Sequence, residues 1–427
     1  MNLLKNKFTS KEIDFLKKNS KDESNKTLKV KPPEVYLSDI LKNETNEIHA
    51  FKKRIQDTNL PDAKFICAIF MVSYKNEKQN KNTNTLLEET FQTVFPKGKG
   101  LWQRIEEGIY ALAFWNFNDE KTAKNILKSI KNKLSSAMNI DICVGASWFP
   151  SEDYSKFDSF DNAVKALDHA AFFGKDSTMF FDGVSIHIYG DRLYQLGHIE
   201  EASIEYQKGL ELDKSNITLI NSLGVCYGLI DMLDKAKDEF KKVLSISPNE
   251  IMSIYNLGLV YDLTDETEKA LKYLKKANSI DNNIFEIELL LGSMFYKNNE
   301  NKKAFYHIQK ALELNSESSQ ALRIIGEIFL EQNKLLEAVS NFSKAIKINP
   351  SDAVSLSGLA KAYEMQNKNI DIALSFAKKS VALDPDNPTY RTILGEIYLK
   401  KEKHDLAKRE FDLASAKTWG DQKIKSA

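Results

Sequence analysis

The stretch "NSLGVCYGLIDMLDKAKDEFKKVLSISP", Asn221–Pro248, decides the architecture of more than half the chain, because it recurs. In register with it stand "YNLGLVYDLTDETEKALKYLKKANSIDN" (Tyr255–Asn282) and "RIIGEIFLEQNKLLEAVSNFSKAIKINP" (Arg323–Pro350), with one skeleton of apolar, Gly, aromatic, Ala, apolar and Ala positions. Gly190, Gly224, Gly258, Gly292 and Gly326 follow at a constant spacing of 34, and Gly395 joins them after a one-residue insertion near Asn369. Ala202, Ala236, Ala270, Ala304, Ala338 and Ala407 keep step. Within a unit the apolar residues fall three and four apart, as at Leu223 and Tyr227 and then Ala236, Phe240 and Val243, which predicts two amphipathic helices. One such hairpin cannot bury its apolar face alone, so neighbouring units must stack.

This pattern resembles the tetratricopeptide repeat family, with small residues where paired helices cross. The resemblance spans seven units from Gly183 to Lys417, and Pro248, Pro350 and Pro385 fall where the family ends a repeat. Ala360 and Gly209 exchange the expected small residues, and Asn282 and Ser316 replace prolines. The family lines a binding groove with the second, fifth and ninth residues of each first helix. That implies a partner-binding groove including Asn221, Val225, Met252, Tyr255, Leu259, Arg323 and Glu327, which would take a protein or peptide partner. The Lys and Asn carboxylate clamp of chaperone-binding members has no counterpart here. The middle of the groove is apolar with an aromatic, which suits an extended segment or helix with apolar anchors. Alternatively, the protein's own segments cover Met252, Tyr255 and Leu259. Residues 418–427 form a C-terminal tail whose Trp419 either caps the last repeat or leaves an interface.

Composition narrows the function classes. Of 427 residues 60 are basic and 60 acidic, so no global charge draws the chain to nucleic acid or an anionic membrane. The start lacks a signal-peptide apolar core, and no window of about 18 apolar residues occurs. Those features predict a cytoplasmic protein with no membrane insertion. Cys67, Cys143 and Cys226 lie far apart in apolar segments, the pattern of buried free thiols. The six histidines show no zinc spacing, and no GxSxG, Walker or GxGxxG loop is present. No cofactor or metal is implied.

Before the repeats the texture changes. Residues 1–33 are rich in Lys, Asn and Ser and are expected to be flexible, with a short helix near Lys11 to Lys18. From 34 to 182 the pattern alternates. "AKFICAIFMVSY", "GIYALAFWNF", "NIDICVGASWF" and "STMFFDG" read as strands; "NTLLEETFQTVF", "DEKTAKNILKSIKNKLSS" and "SFDNAVKALDHAAFFGK" read as helices. The expectation is an α/β domain with helices on a sheet, followed by an all-α repeat array. Within it the turn "RIEEG" before Ile109 departs from the usual Gly/Asn/Asp chemistry of a hairpin.

Two places in this region resemble the GGDEF diguanylate cyclase domain. "DICVGASWFP" is similar to its "vSiGva" strand, and "AVKALDHAAFFGKDSTMFF" to its closing helix and strand, retaining Gly145, Ala163, Lys165, Ala166, Leu167, Ala170, Gly174 and Lys175. In that register Glu106, Glu107, Gly108, Ile109 and Tyr110 occupy the signature. Phe70 stands where the family holds a metal-binding Asp, Val72 at the next acidic position, and Ala171 at a phosphate-contacting Lys. The upstream "RxxD" product-inhibition motif reads Lys97 and Gly100. Condensing nucleoside triphosphates needs divalent metal on carboxylates, and both are missing. The resemblance therefore implies a catalytically dead domain in a bacterial signalling protein, acting as a docking or dimerisation module, with a homodimer as one outcome. Arg104 and Lys175 remain as a possible nucleotide remnant, which supports the alternative of a GTP or cyclic di-GMP sensor relaying to the repeats. Another small α/β domain, such as the class III nucleotide cyclase fold, would equally lack a catalytic constellation.

Overall fold

The structure, a computed structural model, describes residues 46–58, 64–73, 80–94, 100–115, 117, 119–138, 140–150, 154–174 and 176–425. The expectations for residues 1–33, Lys97 and Lys175 lie outside them. The described residues gather into two compact units that part between Ser247 and Pro248.

The first unit opens with α1 (Asn46–Asp57), β1 (Phe65–Ser73), α2 (Asn80–Val94), the hairpin β2 (Gly100–Glu106) and β3 (Ile109–Phe114), α3 (Glu120–Met138), β4 (Asp141–Phe149), α4 (Asp158–Ala171) and β5 (Thr178–Phe180). The strands form one sheet in the order β2-β3-β1-β4-β5. The first four are mutually antiparallel, and β5 adds parallel to β4 at the edge. From β1 to β4 the chain runs βαββαβ with the first strand inside the sheet, the split βαβ arrangement.

Both faces of the sheet are covered, which explains why its central strands are continuous apolar runs rather than alternating ones. On one face Ile66, Ala68, Phe70 and Val72 of β1 pack with Tyr110 and Leu112 of β3 beneath Leu87 and Phe91 of α2 and Leu127 of α3. On the other, Phe65, Cys67 and Ile69 meet Ile109 and Ala111 beneath Phe51 of α1 and Phe160 and Leu167 of α4. Helix α4 lies so close to β4 that a Cβ at Gly145 would collide with the backbone of Ala163 and Leu167. All three cysteines are free and buried.

The turn at "RIEEG" has an ordinary explanation. Gly108 has φ +73° and supplies the left-handed residue the hairpin needs, while a bulge between Arg104 and Glu106 absorbs one residue of β2. The sequence reading missed it because the glycine follows two glutamates instead of an Asn or Asp.

Four helices complete this unit: α5 (Gly183–Gln195), α6 (Ile199–Leu212), α7 (Ile217–Leu229) and α8 (Leu233–Ile246). Asp182 caps α5, accepting from the Ser185 backbone at 2.8 Å. Helix α5 packs on α4. There the buried Lys165 donates to the buried Glu205 at 2.5 Å, and His169 Nδ1 lies 3.1 Å from Ser185 Oγ. The first two helix pairs thus form one body with the sheet.

The second unit contains α9 (Ile251–Leu263), α10 (Thr267–Ile280), α11 (Phe285–Lys297), α12 (Asn301–Leu314), α13 (Ser319–Glu331), α14 (Leu335–Ile348), α15 (Ala353–Met365), α16 (Ile370–Leu383), α17 (Pro388–Lys400) and α18 (His404–Lys425). Helix α18 runs past Lys417 into the stretch read from sequence as a tail.

Two devices repeat in every pair built on the periodic glycine. That residue, on the first helix, receives the side chain sixteen positions later on the second. An added Cβ would lie 2.6 Å from the Tyr206 ring at Gly190, 2.7 Å from Phe240 at Gly224, 2.8 Å from Phe342 at Gly326 and 2.7 Å from Phe411 at Gly395. The turn between paired helices holds one left-handed residue: Gly197, Asp231, Asp265, Asn299, Asn333, Asn367 and Glu402. Gly, Asn and Asp tolerate this region; Glu402 is the exception. The insertion near Asn369 is taken up by a second left-handed residue, Asn369 itself, with φ +52°.

Candidate functional site

In the second unit successive first helices touch, α11 with α13, α13 with α15 and α15 with α17, so their outward positions form one surface. Side chains stitch it together. Lys297 donates to Asp262 at 3.2 Å, the Tyr296 hydroxyl to Glu331 at 2.8 Å, and Lys361 to Glu396 at 2.8 Å. Lys400 lies 2.7 Å from Glu364, and Arg323 lies 3.6 Å from Asp352. Burial alone would raise Glu364 and lower Lys361, but their ion pairs with Lys400, Glu396 and each other prevail. Glu364 is held below the carboxylate range and Lys361 above its ordinary value.

The sequence-predicted groove residues divide by exposure. Asn221 and Val225, in the first unit, are buried, as are Tyr255 and Leu259 in the second. Met252, Arg323 and Glu327 are half-buried. The helical period places a residue on a face but cannot reveal how far neighbours enclose it. Four of the seven therefore offer less surface than their positions implied.

Glu327 stands apart. No ion pair or hydrogen bond of the described residues reaches its carboxylate, and burial, opposed by Arg323 and reinforced by Asp352 and Glu331, pushes it up to about 7. Tyr296 and Tyr390 feel the same charges, and burial raises both phenols, Tyr390 to about 12. Sequence reasoning placed Glu327 on the surface; only its surroundings show an acid held against its own ionisation. Glu288, by contrast, is wholly buried yet kept low, because hydrogen bonds from His307 and Lys310 outweigh its burial. It joins α11 to α12.

The positions matched to the cyclase signature do not converge. Phe70 and Tyr110 are direct cross-strand partners, both fully buried, with the Phe91 ring 5.8 Å from Phe70 and 5.5 Å from Tyr110. Val72 lies in the same cluster, whereas Ile109 belongs to the opposite face. Gly108 is buried in the turn, Glu106 half-buried and Glu107 exposed. Arg104 is exposed on β2, and Ala171 ends α4. Among the described residues no group of three or more His, Cys, Asp or Glu is placed to hold a metal ion. No helix among them is long and apolar enough to cross a membrane.

A second concavity, of about 570 Å³, lies in the first unit where α1 and α4 face α5 and α6. Its charges satisfy one another. Lys52 donates to Asp161 at 2.9 Å, and Glu205 takes both Lys165 and Lys208.

The helix pairs, their interlocking glycines and the shared face define a helical repeat protein. The TPR repeat family matches residues 326–367, and the tetratricopeptide repeat family matches 217–250 and 253–284. The chain therefore carries tetratricopeptide repeats. Among solved structures it is similar to YrrB, described as a TPR protein with an unusual peptide-binding site, at 21% identity over 43% of this chain and 95% of that one, with a TM-score of 0.37. It is also similar to PilF of Pseudomonas aeruginosa, at 18% identity over 49% and 95%, with a TM-score of 0.46. A tetratricopeptide repeat protein of Parabacteroides merdae matches at 19% identity over 57% and 96%, with a TM-score of 0.44. No curated protein matches the sequence.

Proposed function

We propose that the chain is a non-catalytic cytoplasmic interaction scaffold whose first-helix face binds a protein or peptide partner through the half-buried Met252, Arg323 and Glu327, with the buried Tyr255 and Leu259 packed beneath them. The observation that carries this reading is Glu327, a half-buried carboxylate on a shared face whose burial outweighs the attraction of Arg323 and pushes it up to about 7. An acid that raises the free energy of its own fold marks a surface kept for something other than stability. The sheet domain, in this reading, is a GGDEF-like module that serves docking or dimerisation and turns over no nucleotide. Supporting that, the carboxylate position resembling the family's metal ligand is Phe70, sealed beneath Phe91.

Affinity capture with the full chain as bait, repeated with Met252→Ala and Arg323→Ala, tests the scaffold. A captured protein lost from both variants supports it, and one retained by both refutes use of this face. Incubation with GTP and Mg²⁺ tests the domain, where formation of cyclic di-GMP would end the inactive reading. A calorimetric titration with GTP or cyclic di-GMP that releases heat would replace docking with nucleotide sensing.

A further inference from the structure

The concavity of about 570 Å³ between α1, α4, α5 and α6 falls in the size range of small-molecule sites. Its ionic groups are engaged with one another. Lys52 pairs with Asp161, Glu205 with both Lys165 and Lys208, and His198 Nδ1 lies 3.1 Å from Glu201; Arg192 is engaged as well. A charged ligand would have to break one of these pairs and leave its partner without a counter-ion, so the site disfavours ions of either sign.

Two uncharged polar groups on its wall are left over. Asn162 of α4 is only 2% exposed, yet its side chain makes no hydrogen bond among the described residues. A buried amide in that state is costly to the fold and calls for a ligand or solvent to complete it. The Tyr189 hydroxyl of α5 likewise has no hydrogen-bond partner among the described residues. Its ring is steadied by the Lys165 ammonium, 5.1 Å from the ring centroid. Burial, reinforced by Glu205, Asp168 and Asp161, pushes the phenol up to about 12, so at neutral pH it keeps its proton and can donate. Val164 and Leu193 add apolar wall.

An amide offers a donor and an acceptor side by side, which pair in two prongs with another edge of the same kind. We propose that this concavity is a binding site for a small uncharged molecule with an amide-type edge, such as a carboxamide or a pyrimidine base, gripped by the Asn162 amide and offered a further donor by the Tyr189 hydroxyl. The helices around it belong to the sheet domain and to the first repeat, so the bound molecule ties these two together. The site stands apart from the first-helix face and does not depend on that face binding a partner.

The test is calorimetric titration of the full chain with uracil and nicotinamide, set against orotate and nicotinate, which keep the rings but carry a carboxylate. At least one neutral probe is expected to bind at least about tenfold more tightly than its charged counterpart. Asn162→Leu, which removes the amide but keeps its bulk, should weaken that probe by at least about tenfold, and Tyr189→Phe by about threefold or more. The melting temperature of the unliganded Asn162→Leu chain should not fall, because the amide has no protein partner to lose. Binding of neither neutral probe at millimolar concentration leaves Asn162 to solvent and overturns the inference, as does equal binding of the carboxylates or unchanged affinity in Asn162→Leu. Should that variant not fold, Tyr189→Phe decides: a loss supports the site, and unchanged affinity overturns it.

Discussion

Replacing Glu327 with glutamine should stabilise the protein at alkaline pH and leave it nearly unchanged at acid pH. The carboxyl is pushed from its ordinary 4.5 up to about 7 in the native state, first by burial and then by the balance of Arg323 against Asp352 and Glu331. Between those two values the native protein holds a proton that the unfolded chain has released, so stability falls as pH rises through this window. Each tenfold change in proton affinity corresponds to about 1.4 kcal/mol, so an ionised Glu327 destabilises the native state by up to about 3 kcal/mol above pH 7. Its partial exposure and the loss of attraction to Arg323 on substitution bring the expected gain to about 1–2 kcal/mol at pH 8. Urea unfolding followed by circular dichroism at pH 5 and pH 8 measures it, with the midpoint difference between variant and parent as the readout. A gain of the same size at both pH values, or a loss at pH 8, would refute the reasoning.

Phe342 fills the space between Gly326 and Gly358 and is fully buried; Phe342→Ala should cost about 3–5 kcal/mol in urea unfolding, because neither glycine has a side chain to fill the cavity. Glu402 holds φ +56° at a turn where the equivalent residues are Gly, Asp or Asn, so Glu402→Gly should raise the melting temperature through a gain of up to about 1 kcal/mol, while Glu402→Ala should not. At the seam between the sheet and the first repeat, Lys165→Met leaves Glu205 buried with only Lys208. It should cost about 2–3 kcal/mol, and the further change Glu205→Leu should recover most of that in a double-mutant cycle.

The repeat array was legible from sequence because its physics is local and periodic. A small residue every 34 positions, with the large side chain it accommodates sixteen positions on, is a pattern that one repeat specifies and its neighbours restate. The strands and helices of the sheet domain were legible for a similar reason, since buried strands and amphipathic helices differ in period. The hairpin turn was not: the left-handed residue it needs, Gly108, is visible in the sequence, but the bulge that places it there depends on pairing between β2 and β3.

The sequence by itself determined the seven-fold periodicity, the succession of strands and helices other than β2, and the absence of carboxylates at Phe70 and Val72, because each is a matter of residue type at a given spacing. Only the tertiary structure decided what those positions became. Phe70 and Tyr110 close over one another inside the sheet, the first two repeats join the sheet through α4, Tyr255 and Leu259 are enclosed, and Glu327 is left on the face with a burial that the attraction of Arg323 does not offset. Burial and charge balance belong to surroundings assembled from distant parts of the chain, and no spacing along the sequence records them.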